Sequence, residues 1–203
     1  QKDTKYLNDK YQNSILVSAF HAFEKVIIPT QTEPFAFYHG NLSVGENNEA
    51  ALFLADKVFR GLSHKLVIAG NQPSKELKSI VKELDNIYLY DNLNSIEINE
   101  RLHKARINVL PTFQSTGIKL KLLAALYNGG HCLVNKLMVD GTGLESIIHM
   151  ANSVKEFKEK IESLMNSVIN SEEKLKREVA LKDFSNIKNI EEIINLISSG
   201  TIS

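Results

Sequence analysis

Apolar residues along the chain fall into short unbroken runs separated by amphipathic stretches, and the two patterns alternate. Phe35 to Gly40, Lys65 to Gly70, Asn86 to Tyr90 and Ile107 to Leu110 are such runs, and Cys132 to Val134 begins another. Runs this short and continuous suit strands buried on both faces. Between them, apolar residues recur at helical spacing. Ala50, Phe53, Leu54 and Val58 follow a cap at Asn47 or Asn48, and Leu77, Ile80, Val81 and Leu84 follow Pro73. Ile98, Leu102 and Ala105 follow Asn94 or Ser95, and Ile118, Leu122, Ala125 and Leu126 follow Gly117. Strict alternation of strand and helix predicts an α/β fold with a doubly wound parallel sheet, not a barrel or sandwich.

The two ends of the chain are less regular. Residues 1–33 are polar, then mixed, and their apolar runs (Ile15 to Val17, Val26 to Ile28) are too short to build a domain. They read as a linker or the tail of a preceding domain, with His21 a surface or half-buried histidine. Residues 34–152 carry the alternating pattern, ending in a Gly-rich loop from Asp140 to Glu145 and a last short strand within Ile147 to Ala151. Residues 153–203 read as extra C-terminal helices. Ser153 to Glu156 has capping-box spacing, and Phe157, Ile161, Leu164 and Ile169 continue that helix. Ser171 to Leu181 reads as a charged, solvated helix. A final amphipathic helix runs through Ile190, Ile193, Ile194 and Ile197.

The candidate chemistry lies in Arg106 to Val134, RINVLPTFQSTGIKLKLLAALYNGGHCLV. Pro111 ends the strand, a polar loop runs from Thr112 to Thr116, and a helix pattern opens at Gly117 and closes at Asn128-Gly129-Gly130. In a parallel sheet this loop lies at the carboxyl end of its strand, where open α/β folds bind ligands. Ser115, Thr116 and the helix N–H groups offer an anion site, and Lys121, one turn in, adds a point charge for a phosphate. Gly40, directly after the first strand, admits close approach of a ligand or another backbone. At this level two readings stay open: a phosphate-binding turn, or an ordinary βα loop with hydroxyl caps and solvated lysines.

Composition narrows the field. The chain has 203 residues, 43% hydrophobic and 24% charged, with a formal net charge of zero, so no basic field argues for nucleic acid. Its single cysteine, Cys132, excludes an internal disulfide and reads as a buried thiol in a reducing compartment. No apolar run approaches the roughly 20 residues of a membrane span. The chain starts at Gln1 without methionine and is expected to be a piece of a longer protein. HExxH, paired CxxC, GxSxG, P-loop and dinucleotide fingerprints are absent. His21, His39, His64, His103, His131 and His149 show no metal-chelating spacing, and no metal is expected.

With these residues in view, the chain resembles the C-terminal, nucleotide-sugar-binding half of a GT-B fold glycosyltransferase of the group-1, family 4-like kind. FYHGNLSVGENNEAALFLADKVF is similar to the family's opening strand, glycine loop and helix, and KLVIAG with Pro73 to its second strand and loop. NIYLYDNLNSIEINERLHKARINVLPT and STGIKLKLLAALYNGGHCLV resemble the stretches that follow. The resemblance implies a Rossmann-like domain whose turn from Thr112 through Ser115, Thr116 and Gly117 takes the donor's diphosphate on helix N–H groups, with Lys121 beside it. Gly40 and Asn41 would line the cleft under the diphosphate, and the loop after Gly70 and the region of Tyr90 would approach the base. The implied reaction moves a sugar, of hexosyl or mannosyl type, from a nucleotide-diphosphate donor to a glycan or lipid-linked acceptor in polysaccharide biosynthesis. No cofactor beyond the nucleotide sugar is implied. The catalytic residues and the acceptor site would belong largely to an N-terminal domain of the same protein, leaving this part inactive alone. The implied location is cytoplasmic, or peripheral at the inner face of the membrane.

Departures from the family pattern support a second expectation. Ala124 stands where the family places a ribose-binding glutamate, and Thr116 replaces its other glutamate. Ser43 to Asn48 lacks the usual basic residues. The alternatives are therefore a degenerate, non-catalytic module that mediates protein contacts, or a relative of the sugar-nucleotide epimerases.

Overall fold

The computed structural model describes residues 2–11, 15, 17–114 and 120–198. Among them, six strands make one parallel sheet: β1 (Glu33–His39), β2 (Lys65–Ala69), β3 (Ile87–Tyr90), β4 (Ala105–Leu110), β5 (His131–Val134) and β6 (His149–Met150). Their spatial order is β3-β2-β1-β4-β5-β6. The chain thus moves outward one way from β1, then returns to β1's other side with β4. That reversal leaves a crevice between the carboxyl ends of β1 and β4.

The helices are α1 (Lys2–Tyr11), α2 (Gly45–Leu52, continued by a π-helical stretch over Phe53–Phe59), α3 (Lys75–Glu83), α4 (Ser95–Lys104), α5 (Leu120–Asn128), α6 (Lys136–Val139), α7 (Val154–Met165), α8 (Ser171–Ala180) and α9 (Asn186–Ser198). Alternate strand residues serve opposite faces of the sheet. Ala36, Tyr38, Leu66 and Ile68 pack with Leu54, Val58, Phe59 and Phe157. Phe35, Phe37, Val67 and Ala69 pack with Leu102, Ala105 and Ala124. Both faces are covered, as the unbroken apolar runs require.

Helix starts follow their caps. Ser74 accepts the Leu77 N–H at the head of α3, one residue beyond Pro73. Asn94 and Glu97 form a complete capping box on α4. At α7, Ser153 accepts the Glu156 N–H, but the Glu156 carboxylate reaches Asn152 N instead of closing the box. That helix ends at Met165, short of Ile169. The expected cap at Asn47 or Asn48 is corrected: α2 starts at Gly45, so both asparagines lie inside it, and the cap position is Val44, whose side chain has no acceptor.

The charged helix α8 is not simply a solvated face. Arg177 is buried, and its guanidinium donates to the carbonyls of Leu126, Gly129 and Gly130 at 3.2, 2.9 and 2.6 Å. Leu126 is in the last turn of α5 and Gly129 and Gly130 are in the turn after it, where a cation also suits the helix dipole. Along α9 the isoleucine stripe is exposed: Ile190, Ile194 and Ile197 face solvent and Asn189 is buried, donating to the Ser18 carbonyl at 3.1 Å. Ahead of β1, Ile27 N–H bonds the Tyr127 carbonyl at 2.7 Å and half-buried His21 bonds the Phe184 carbonyl at 2.7 Å. Cys132 is buried as expected, and burial pushes its thiol up to about 12, which leaves it unreactive.

Candidate functional site

The crevice between β1 and β4 is walled by the loop after β1, the first turn of α2, the start of the loop after β4 as far as Gln114, and the first turn of α5. Packing holds the first of these walls close. A Cβ on Gly70 would lie 2.0 Å from the Gly40 carbonyl oxygen and 2.7 Å from Leu42 Cγ, so only glycine lets the loops after β1 and β2 meet. Gly40 in turn faces the Asn47 side chain, whose Cγ would be 3.0 Å from an added Cβ. Gly40 N–H bonds the Ala69 carbonyl at 3.1 Å, so its backbone is held by the end of β2.

The polar groups converge on Asn47. Its amide donates to the Asn41 carbonyl at 3.0 Å, and its Oδ1 accepts from Lys121 Nζ at 2.9 Å. The Lys121 ammonium also lies 5.3 Å from the centre of the Tyr38 ring, and the Tyr38 hydroxyl donates to the Asn47 carbonyl at 3.0 Å. Burial, then the Glu46 charge, raises the Tyr38 hydroxyl's pKa, so it remains protonated. On the opposite wall, the N–H of buried Thr112 donates to Asn135 Oδ1 at 3.1 Å, and its carbonyl accepts from the Asn135 amide at 2.6 Å. The Thr112 hydroxyl donates to the Glu46 carboxylate. Phe113 seats the loop edge-on against Phe53, with ring centres 5.5 Å apart.

His39 closes β1 beside this cluster and stacks on Phe37 with ring centres 5.6 Å apart. Its Nε2 is buried and has no hydrogen-bond partner among the described residues. Burial, and then the nearby Lys121 charge, lower its pKa to about 4. The imidazole is therefore neutral at pH 7, with one nitrogen unsatisfied.

The structure brings together Gly40, Asn41, Thr112 and Lys121, four of the residues expected to meet a diphosphate. Ser115, Thr116 and Gly117 lie outside the described residues. Ala124 is buried against the apolar side of the sheet with Phe35, Phe37 and Leu102, so its methyl group is packed. Three residues of the site are not singled out by the sequence. Asn47 reads there only as a cap; Glu46 and His39 carry no signal beyond their place next to the glycine loop.

Solved structures share this architecture. The chain superposes on TarM with a TM-score of 0.63 at 16% identity, over 89% of this chain and 38% of that one. It matches the GtfA/B complex with a TM-score of 0.65 at 15% identity, over 98% and 43% of the respective chains. The fold is the Rossmann-like one that these GT-B structures share. AviGT4, a glycosyltransferase involved in avilamycin A biosynthesis, shares the GT-B architecture with a TM-score of 0.56 at 13% identity, over 85% of this chain and 56% of that one. The chain thus spans between about two fifths and just over half of these GT-B proteins. Neither a protein-family profile nor the sequence of a curated protein matches it. Among the described residues, no helix is long and apolar enough to cross a membrane.

Proposed function

We propose that this chain is the donor-binding half of a glycosyltransferase, and that the crevice between β1 and β4 takes the diphosphate of a nucleotide sugar. The observation that carries this reading is the convergence of Gly40, Asn41, Thr112 and Lys121 at the switch point of a GT-B sheet. Lys121 supplies a cation already steered by Asn47, the Thr112 hydroxyl a donor, and the head of α5 its amide groups. Together they stabilise the charge that grows on the departing diphosphate. The unsatisfied His39 nitrogen is a further hydrogen-bonding group for the bound donor. The transferred group is of hexosyl or mannosyl type, the acceptor a glycan or lipid-linked sugar, and the acceptor site belongs to a second domain of the same protein. No cofactor beyond the nucleotide sugar is called for, and the work is done in the cytoplasm or at the inner face of the membrane.

A second reading has its own observation. Glu46 already places a carboxylate on Thr112, where a phosphate oxygen would otherwise sit, and Ala124 cannot hold a ribose. Both favour a module that keeps the GT-B fold for protein contact without donor binding. Calorimetry with UDP, GDP and their sugars separates the two. Binding that is lost in Lys121→Ala supports the transferase; no binding to any nucleotide refutes it.

A further inference from the structure

At the opposite end of β5 from the crevice, three side chains of unlike origin meet. His131 opens β5, His149 opens the neighbouring β6 two register positions away, and Glu173 lies in the first turn of α8. Residues two apart on paired strands share a face, so both imidazoles lie on the same side of the sheet. His149 Nε2 is 3.2 Å from His131 Nδ1, and Glu173 Oε1 lies 3.7 Å from the first histidine and 4.0 Å from the second. Among the described residues, this is the group of His, Cys, Asp and Glu whose ligand atoms all fall within 4.8 Å of one another.

We propose that His131, His149 and Glu173 form a binding site for a transition-metal dication of the zinc class, separate from the diphosphate crevice. The spacing fits. A tetrahedral ion with bonds of about 2.0–2.1 Å sets its donors roughly 3.3 Å apart. The two imidazole nitrogens already stand at that separation, and the carboxylate closes the rest by a shift of about half an ångström. Two imidazoles and one carboxylate suit zinc and its neighbours and not magnesium or calcium, which prefer oxygen shells.

The surroundings orient each ligand atom. Ser167 Oγ donates to the Leu164 carbonyl at 3.3 Å, so it accepts from His131 Nε2–H at 3.1 Å, and the His131 lone pair is left on Nδ1. Held imidazoles of this kind are the usual outer shell of a metal site. Glu173 Oε2 accepts the Asn170 N–H at 3.0 Å in the capping box of α8, which turns Oε1 toward the imidazoles. The proton that His149 Nε2 shares with His131 moves to His149 Nδ1 on binding, a change of tautomer that leaves the imidazole neutral. His131 is buried, while His149 and Glu173 are each about 30% exposed at the side chain, which gives the ion a way in and leaves its fourth position to water. Buried Arg177 points its guanidinium at the carbonyls of Gly129 and Gly130 in the turn after α5. The ion would join β5, β6 and α8 on one edge, roughly 13 Å along β5 from Asn135 at the crevice.

The test uses the 203-residue chain treated with chelator and then given Zn2+ alone. Calorimetry is expected to show one equivalent bound, with a rise in Tm, and Co2+ in place of Zn2+ is expected to give the visible absorption of a tetrahedral site. His149→Ala is expected to weaken Zn2+ binding about a hundredfold, and Glu173→Gln and Ser167→Ala about tenfold each. Glutamine keeps the capping box, and circular dichroism checks that each variant is folded. Because replacing buried His131 could unfold the chain, the half-exposed His149 and Glu173 decide the outcome. Equal Zn2+ affinity in wild type and His149→Ala overturns the proposal, as does a Tm rise with Mg2+ as large as with Zn2+.

Discussion

At the carboxyl end of β5, Asn135 reaches across to the Thr112 backbone; at its amino end, His131 faces His149 and Glu173. The first region is built on loops and helix heads, and it holds both an ammonium steered by a neutral amide and the Glu46 carboxylate on Thr112. The second is built on strand and helix side chains, where a hydroxyl pins His131 and a backbone N–H pins Glu173. A lysine at a helix head suits an anion that arrives and leaves; pinned side chains suit a cation that stays. On the two proposals above, one short strand joins sites for ligands of opposite sign, and each can be perturbed without the other.

The largest effect is expected from Arg177, which bonds the end of α5 one helical turn beyond Glu173. Arg177→Met leaves several buried carbonyls without partners, and is expected to lower stability by about 3 kcal/mol or more. A urea midpoint that falls at unchanged m would report it. A midpoint within experimental error of wild type would show that α8 is not anchored there.

Acid titration comes next. Burial lowers the pKa of His39 to about 4, so the unfolded chain, with an ordinary imidazole near 6.5, takes up a proton that the folded chain refuses. Stability is therefore expected to be full above about pH 6.5 and to fall between 6.5 and 4, by on the order of 3 kcal/mol from this group. His39→Gln should flatten that slope in urea melts across the window. Burial and the adjacent His131 also lower His149 to about 4, so His149→Gln should remove a separate share of the slope. If His39→Gln changes nothing, the crevice histidine is not held buried and neutral.

Gly70→Ala sharpens the contrast from the crevice side. Its Cβ would fall 2.0 Å from the Gly40 carbonyl, so the two loops must part. A loss of about 1–3 kcal/mol is expected, together with loss of any nucleotide binding. Lys121→Ala is expected to weaken nucleotide binding by about 1.5–3 kcal/mol while leaving Zn2+ binding at the other end unchanged. The smallest effect is expected from Glu46→Gln. Removing that carboxylate from Thr112 should improve nucleotide affinity by about 1 kcal/mol, read by calorimetry. An unchanged affinity would mean that Glu46 does not compete with phosphate.

Much of the fold is legible because it rests on periodicity. The apolar runs at Phe35, Lys65, Asn86 and Ile107 are strands because a sheet covered on both faces needs side chains that shun water on either side. The caps at Asn94 and Ser153 are legible for a local reason: the side chain and the N–H it accepts lie within one turn. The site is legible only in part. Gly40, Asn41 and Thr112 closely follow strand ends and Lys121 lies in the first turn of the helix after β4, so all four can be placed. Glu46 and Asn47 cannot, since their partners Thr112 and Lys121 are distant in sequence. Arg177 looks solvated along the chain because its carbonyl partners belong to α5 and the turn after it, some fifty positions earlier.

By itself the amino-acid sequence determined the alternation of strand and helix, the position of the glycine loop and the apolar core, because each depends on residues close along the chain. Tertiary structure alone decided which polar groups meet. Sheet order brings β4 beside β1 and β6 beside β5, and that order sets Lys121 on Asn47 and His149 on His131. Charge and hydrogen bonding act through space over a few ångströms, whatever number of residues lies between.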